Sequence, residues 1–124
     1  MLLKNLLLVG FGGALGSIAR FLVHKYVSQH YPHIFPIGTF FVNIIGCFLI
    51  GLFFGFATKH EYFTPAFRLL LMVGFCGSFT TFSAFTLEGM QLLDQHRFLI
   101  FTLYFALSVL FGLIATFTGA WLSQ

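Results

Sequence analysis

Gly74-Phe75-Cys76-Gly77-Ser78-Phe79-Thr80-Thr81-Phe82-Ser83-Ala84-Phe85-Thr86 is the stretch on which the fold turns. It lies inside an apolar run from about Ala66 to Leu93, long enough to cross the hydrocarbon core of a bilayer. Two glycines and a cluster of Ser and Thr sit near the middle of that run. Both residue types weaken a helix, by backbone freedom and by competing hydrogen bonds. A broken backbone at membrane depth survives only where protein or a water-filled cavity satisfies it. Unwound carbonyls at such a break commonly coordinate a cation, and half-helix N-termini attract anions. The plainer reading is an intact helix whose hydroxyls bond back to its own carbonyls. Both readings remain open on the residues alone.

Three further apolar runs flank this one, at about Asn5 to Val23, Ile37 to Ala57 and Phe98 to Leu122. Nothing in them alternates, and each exceeds strand length, so four membrane-crossing helices are expected. The short connections carry the polar and breaker residues: Ser28-Gln29-His30-Tyr31-Pro32-His33, Thr58-Lys59-His60-Glu61 and Asp94-Gln95-His96-Arg97. Composition agrees. Of 124 residues, 59% are hydrophobic and 7% charged, with a mean hydropathy of +0.99, whereas a soluble domain is about 25% charged. That excludes a soluble monomer, a disordered chain, and soluble enzymes and nucleic-acid binders as classes. The net charge of +3 comes from scattered Lys and Arg with no basic patch. Lys4 ahead of the first run mimics a signal peptide, but Arg20 interrupts the cleavage region and no soluble domain follows.

Four spans put the N-terminus, the second connection and the C-terminus on one side. That side holds Lys4, Lys59 and Arg68; the other holds Lys25, Arg97 and Arg20. An excess of Lys and Arg on the cytoplasmic side normally sets orientation, and here there is none. Either the chain inserts both ways and pairs with its inverted copy, or finer features set its orientation. Small residues recur four apart at Gly12 and Gly16, Gly51 and Gly55, and Ala115 and Gly119, which permits close helix contact within or between subunits. Four short helices do not easily enclose a polar path, so a homo-oligomer is expected for a transporter.

Few residues in the spans carry chemistry. Phe79, Phe82 and Phe85, three apart, form a ridge on a continuous helix, and ring edges are electropositive enough to meet a small anion. With 20 Phe in the chain, a ridge of three is usually packing. Asn43 lies near the middle of the second span, where a side-chain amide must be paired or face a cavity. It can donate to an anion or bond to another helix. Thr39 stands one turn before it on the same face. Tyr104, Ser108 and Gly112 repeat every four residues, as a hydroxyl track or a helix seam. Arg20 and Glu88 are the ionisable residues best placed inside the spans, although both lie near span ends and can reach the interface. Cys47 and Cys76 lack metal spacing, and the His residues fall mostly in the connections. No nucleophile–base set, phosphate loop or zinc motif is visible, so no enzyme is expected.

Three segments then carry a resemblance. Gly12-Gly13-Ala14-Leu15-Gly16 with Arg20, Pro36-Ile37-Gly38-Thr39-Phe40-Phe41-Val42-Asn43 with Gly46, and Gly74-Phe75-Cys76-Gly77 running into Thr80-Thr81-Phe82-Ser83 resemble the CrcB/Fluc fluoride channels over nearly the whole chain. The resemblance implies an all-α integral membrane protein with four transmembrane helices per subunit, the third broken near its middle. It implies an antiparallel, dual-topology homodimer in the cell inner membrane, with two fluoride pores along the interface. Asn43 would be a pore-lining amide donor, and Phe82 and Phe85 the aromatic fluoride contacts from different subunits. Gly77 and Thr80 would offer backbone carbonyls to a structural sodium ion at the dimer centre. Tyr104 and Ser108 would form the hydroxyl track, with Thr39 and Glu88 near the path and Arg20 a structural or vestibule residue. Ser78 and Ala84 depart from the family pattern, where glycine and threonine are usual; the loss of the hydroxyl at Ala84 puts its pore-lining role in question.

The implied activity is passive fluoride export. Neutral HF enters across lipid, ionises inside and is trapped, and a selective path lets the anion leave. Two other classes compete: a proton-coupled small exporter, whose key glutamate would lie in the first span, which here holds no carboxylate, and a non-conducting structural membrane subunit.

Overall fold

The computed structural model of the chain describes residues 1–31 and 34–124. Pro32 and His33, the breaker residues expected in the first connection, lie outside the described residues. All regular structure among the described residues is helical: α1 (Leu2–His30), α2 (Ile37–Lys59), α3 (Pro65–Phe67), a π-helical stretch (Arg68–Cys76), α4 (Gly77–Phe79), α5 (Phe82–Asp94) and α6 (Phe98–Ser123). The α3-to-α5 run forms one interrupted span, so the described residues hold four helices long and apolar enough to cross a membrane.

The helices outrun the apolar stretches that announce them. Ser28–His30 continue α1 and Thr58 and Lys59 continue α2, where connections were expected. Hydropathy marks the part in hydrocarbon, but helical hydrogen bonding does not stop at the interface. Ser28 Oγ donates to the His24 carbonyl at 2.7 Å, a polar side chain accommodated within the helix. Pro65 opens the third span at a position where its missing N–H costs nothing, behind the Thr64 N-cap. Widened, five-residue hydrogen bonding then runs to Cys76, a feature with no sequence signal.

Glycine seams hold the bundle together. α2 and α6 pack most extensively. A Cβ on Gly51 would strike the Thr116 carbonyl oxygen, and one on Gly119 the Phe48 carbonyl oxygen. α1 packs on the π-helical stretch and α4. There a Cβ on Gly12 would strike Leu70 O, and one on Gly16 would strike Ser78 Oγ and Phe75 O. These small residues therefore serve contacts within one subunit. Phe85, Leu92 and Tyr104 form the buried apolar cluster, with Phe35, Phe40 and Phe105 against it. Large apolar side chains elsewhere point outward, including Leu7, Phe11, Phe21, Phe117 and Trp121, as expected where lipid or another subunit replaces water.

Gly51→Ala therefore lowers stability by about 1–3 kcal/mol through overpacking. Gly10→Ala, with nothing within 4 Å of the added Cβ, raises it by about 0.5–1 kcal/mol. Thermal melts of the two variants in detergent check this; equal melting points would contradict the close α2–α6 seam.

Candidate functional site: the interrupted third span

The break is two residues long. Thr80 (φ −82°, ψ 157°) and Thr81 (φ −147°, ψ 122°) are extended between α4 and α5. Of the two readings that the sequence left open, the interrupted helix is the one observed. Extended backbone at this depth exposes N–H and C=O groups that hydrocarbon cannot satisfy, and side chains meet those of Thr81 and of the helix ends on either side of it. Asn43 on α2 acts in both senses: Nδ2 donates to the Thr81 carbonyl at 3.1 Å, and Oδ1 accepts from the Thr81 N–H at 2.8 Å. Arg20 on α1 donates through Nε to the Ser78 carbonyl at 3.0 Å. Thr81 caps α5, its Oγ1 accepting from the Ala84 N–H at 3.2 Å.

The remaining hydroxyls settle locally. Thr80 Oγ1 donates to the Cys76 carbonyl at 2.9 Å, and its methyl fills the space that the missing Cβ of Gly46 leaves. Ser78 Oγ donates to the Gly74 carbonyl at 2.8 Å, in the room that Gly16 leaves on α1. A serine at position 78 is thus accommodated by an existing glycine. The aromatic ridge is corrected. Because the break falls between Phe79 and Phe82, the three rings do not share one continuous helix. Phe79 is buried and stacks on Phe75. Phe85 is 8% exposed and stacks on Phe105, with ring centroids 4.2 Å apart, whereas Phe82 projects at 76% exposure.

These groups border an open concavity of about 420 Å³, lined by Asn43, Cys47, Cys76, Gly77, Thr80, Thr81, Phe82, Phe85 and Ser108. Five of the expected site residues besides Asn43 therefore share one wall. Ser108 Oγ and Tyr104 OH are buried with no partner among the described residues. Gly112, next on that face, packs beside Cys47.

Thr39 and Glu88 form a second group. Thr39 Oγ1 donates to Glu88 Oε1, and the same oxygen lies 3.3 Å from His24 Nε2. Tyr104 sits next to both Thr39 and Glu88. A smaller hollow of about 260 Å³ opens here, lined by His24, Ser28, Tyr31, Phe35, Gly38 and Glu88. Sequence reading overlooked His24 by assigning most histidines to connections; it lies inside α1. Its spacing of four from Arg20, which puts both on one helix face, was the available signal. Arg20 itself is not free at the interface but serves the break.

A family model described as "CrcB-like protein, Camphor Resistance (CrcB)" matches residues 7–120. The chain belongs to the CrcB-like family. Similar curated proteins include one from Flavobacterium psychrophilum, 44% identical over 117 residues and covering 94% of each chain. Another, from Gloeothece citriformis, is 45% identical over 118 residues and 95% of each chain. A third, from Leptospira interrogans, is 40% identical over 119 residues, 96% of this chain and 94% of its own. All three carry the name "Fluoride-specific ion channel FluC". This CrcB-like chain is thus a multi-pass membrane protein whose family residues converge on an interrupted span.

Asn43→Ala orphans the Thr81 N–H, a loss of about 1–3 kcal/mol for an unsatisfied buried donor. The Thr81 amide should then exchange with solvent about tenfold or more faster. Asn43→Asp keeps the acceptor and should leave that exchange slow. Fast exchange in both variants would show that the clamp does not depend on Oδ1.

Proposed function

We propose that this chain is a passive, fluoride-selective channel of the cell inner membrane that exports fluoride from the cytoplasm and so reduces its toxicity. The observation that carries the reading is near-full-length similarity to proteins named fluoride-specific ion channels. The chemistry of the site supports it. Fluoride holds its water tightly, so a selective path must replace that water with donors placed in a narrow passage. Asn43 Nδ2 gives one N–H to Thr81, and its second has no acceptor among the described residues. The hydroxyls of Tyr104 and Ser108 are uncommitted, and the ring edges of Phe82 and Phe85 offer positive potential without fixed charge.

The working unit in this proposal is an antiparallel, dual-topology homodimer with two pores. One chain leaves the concavity open on one side and the Phe82 ring uncovered. A second copy would close the passage and supply the ring that faces Phe85 across it. The even division of Lys and Arg between the two sides suits insertion in both orientations. A structural sodium ion at the dimer centre fits the donors present. No hydrogen bond reaches the carbonyl oxygens of Gly77 or Thr80 among the described residues, and Gly77 is exposed on the chain's surface. Two such oxygens from each of two chains would make an all-oxygen set of the kind hard cations take. A bound cation would lower the cost of an anion at membrane depth.

Export then needs no energy source within the protein. Fluoride trapped inside by ionisation leaves down its gradient, aided by an inside-negative potential. Liposomes holding only this protein should release fluoride rapidly once valinomycin clamps the voltage, and chloride should stay. Asn43→Ala and Phe85→Ile should each cut fluoride efflux by about tenfold or more, the scale of one lost donor contact, while dimers persist by cross-linking. Full efflux in both variants would overturn the residue assignment. Absence of efflux from folded parent dimers would overturn the channel reading.

A further inference from the structure

His24, Thr39 and Glu88 come from α1, α2 and α5 and meet in one chain of hydrogen bonds. The middle member restricts what the outer two can do. A threonine hydroxyl carries one proton. When Thr39 donates it to Glu88 Oε1, its oxygen can only accept from His24, so Nε2 must bear a hydrogen. The reverse arrangement requires a protonated Glu88 donating to Thr39, which then donates to a bare Nε2. Proton positions on His24 and Glu88 are therefore tied together through a residue that does not itself titrate. The other ring nitrogen, Nδ1, lies over Gly38, whose added Cβ would sit 2.9 Å from it. Both His24 and Glu88 border the hollow of about 260 Å³ and so open onto a common space.

We propose that His24 is a positioning residue for permeation, which acts through Thr39 on the charge of Glu88 and makes anion entry at this hollow depend on pH. This rests on the reading that Thr39 and Glu88 border the fluoride path. An anion passing a carboxylate meets repulsion, and an imidazolium one hydroxyl away offsets it. Among the described residues, the titratable and charged groups that face His24 are these. Arg20 lies one turn earlier on α1, with its Nε engaged by Ser78. α5 presents Glu88, the rim of the hollow presents Tyr31, and α6 brings Tyr104 beside Glu88. α2 presents Gly38 and Thr39, neither of which titrates. Histidine is the member of this set that ordinarily changes charge near neutral pH.

Fluoride efflux from liposomes, measured from about pH 8 to about pH 5.5 with protein-free vesicles subtracted to remove HF leak, reads the proposal. In the parent, efflux should rise about threefold to tenfold across that range. In His24→Gln, which keeps an N–H toward Thr39 but cannot gain charge, the ratio of acid to alkaline efflux should fall to about one. Equal ratios in parent and His24→Gln would overturn the proposal. Nitrogen-15 NMR of labelled histidine provides a readout that needs no flux. Glu88→Gln should displace the His24 titration midpoint, and an unmoved midpoint would overturn the coupling. A midpoint displaced by Glu88→Gln, with a parent protein that passes no fluoride at any pH, would uphold the coupling and reject the channel reading.

Discussion

Everything at the centre of this molecule follows from two residues of extended backbone in the middle of a membrane span. Thr80 gives its N–H to the Cys76 carbonyl, but the Thr80 carbonyl and both backbone groups of Thr81 find no helical partner, and lipid offers them nothing. The surrounding helices must therefore carry polar side chains at matching depth. Asn43 answers Thr81 with a donor and an acceptor, and Arg20 answers the Ser78 carbonyl at the end of α4. These contacts in turn dictate how closely α1 and α2 approach the third span. Gly16 and Gly46 are glycine where the approach is tightest, against Ser78 and Thr80. An interruption that looks like a weakness in the sequence is thus the element to which the other helices are fitted.

In the proposed channel, the same constraint would give Asn43 two kinds of work. A side-chain amide in hydrocarbon is costly unless paired. Its pairing to Thr81 fixes its rotamer and orientation, and it faces a concavity rather than lipid. A donor held rigid by one bond is a better ligand for a small anion than a mobile one, because no reorganisation is needed when the ion arrives. The two readings open at the sequence level, helix contact and anion donor, are therefore compatible rather than exclusive.

Much of this was legible beforehand. Apolar run length gave four spans, and Gly77, Thr80 and Thr81 marked the region of the break. What escaped was geometric. The break separates Phe79 from Phe82, which periodicity alone cannot reveal, since a spacing of three means a shared face only while the helix continues. The π-helical stretch Arg68–Cys76, which packs against α1, has no signature among its residue types. His24 was hidden by a rule of thumb about where histidines fall. Its partner Thr39 lies on a different helix and nothing in local sequence joins them.

The two hollows are not independent features. Thr39 and Asn43 are four apart on α2, Phe85 and Glu88 three apart on α5, and Tyr104 and Ser108 four apart on α6. Each pair spans about one helical turn, roughly 5–6 Å of rise. In each pair one member borders the concavity at the break, while the other belongs to the Thr39–Glu88–Tyr104 group. Three neighbouring helices thus carry polar or aromatic groups in register between the two openings. Five of the six are polar, and they differ in what satisfies them: Asn43 is bonded to Thr81 and Thr39 to Glu88. Each unpaired hydroxyl costs stability that an apolar side chain would restore. The orphaned hydroxyls of Tyr104 and Ser108 are the sharpest instance. In the proposed channel, an anion or its water passing between the two openings would complete their hydrogen bonds.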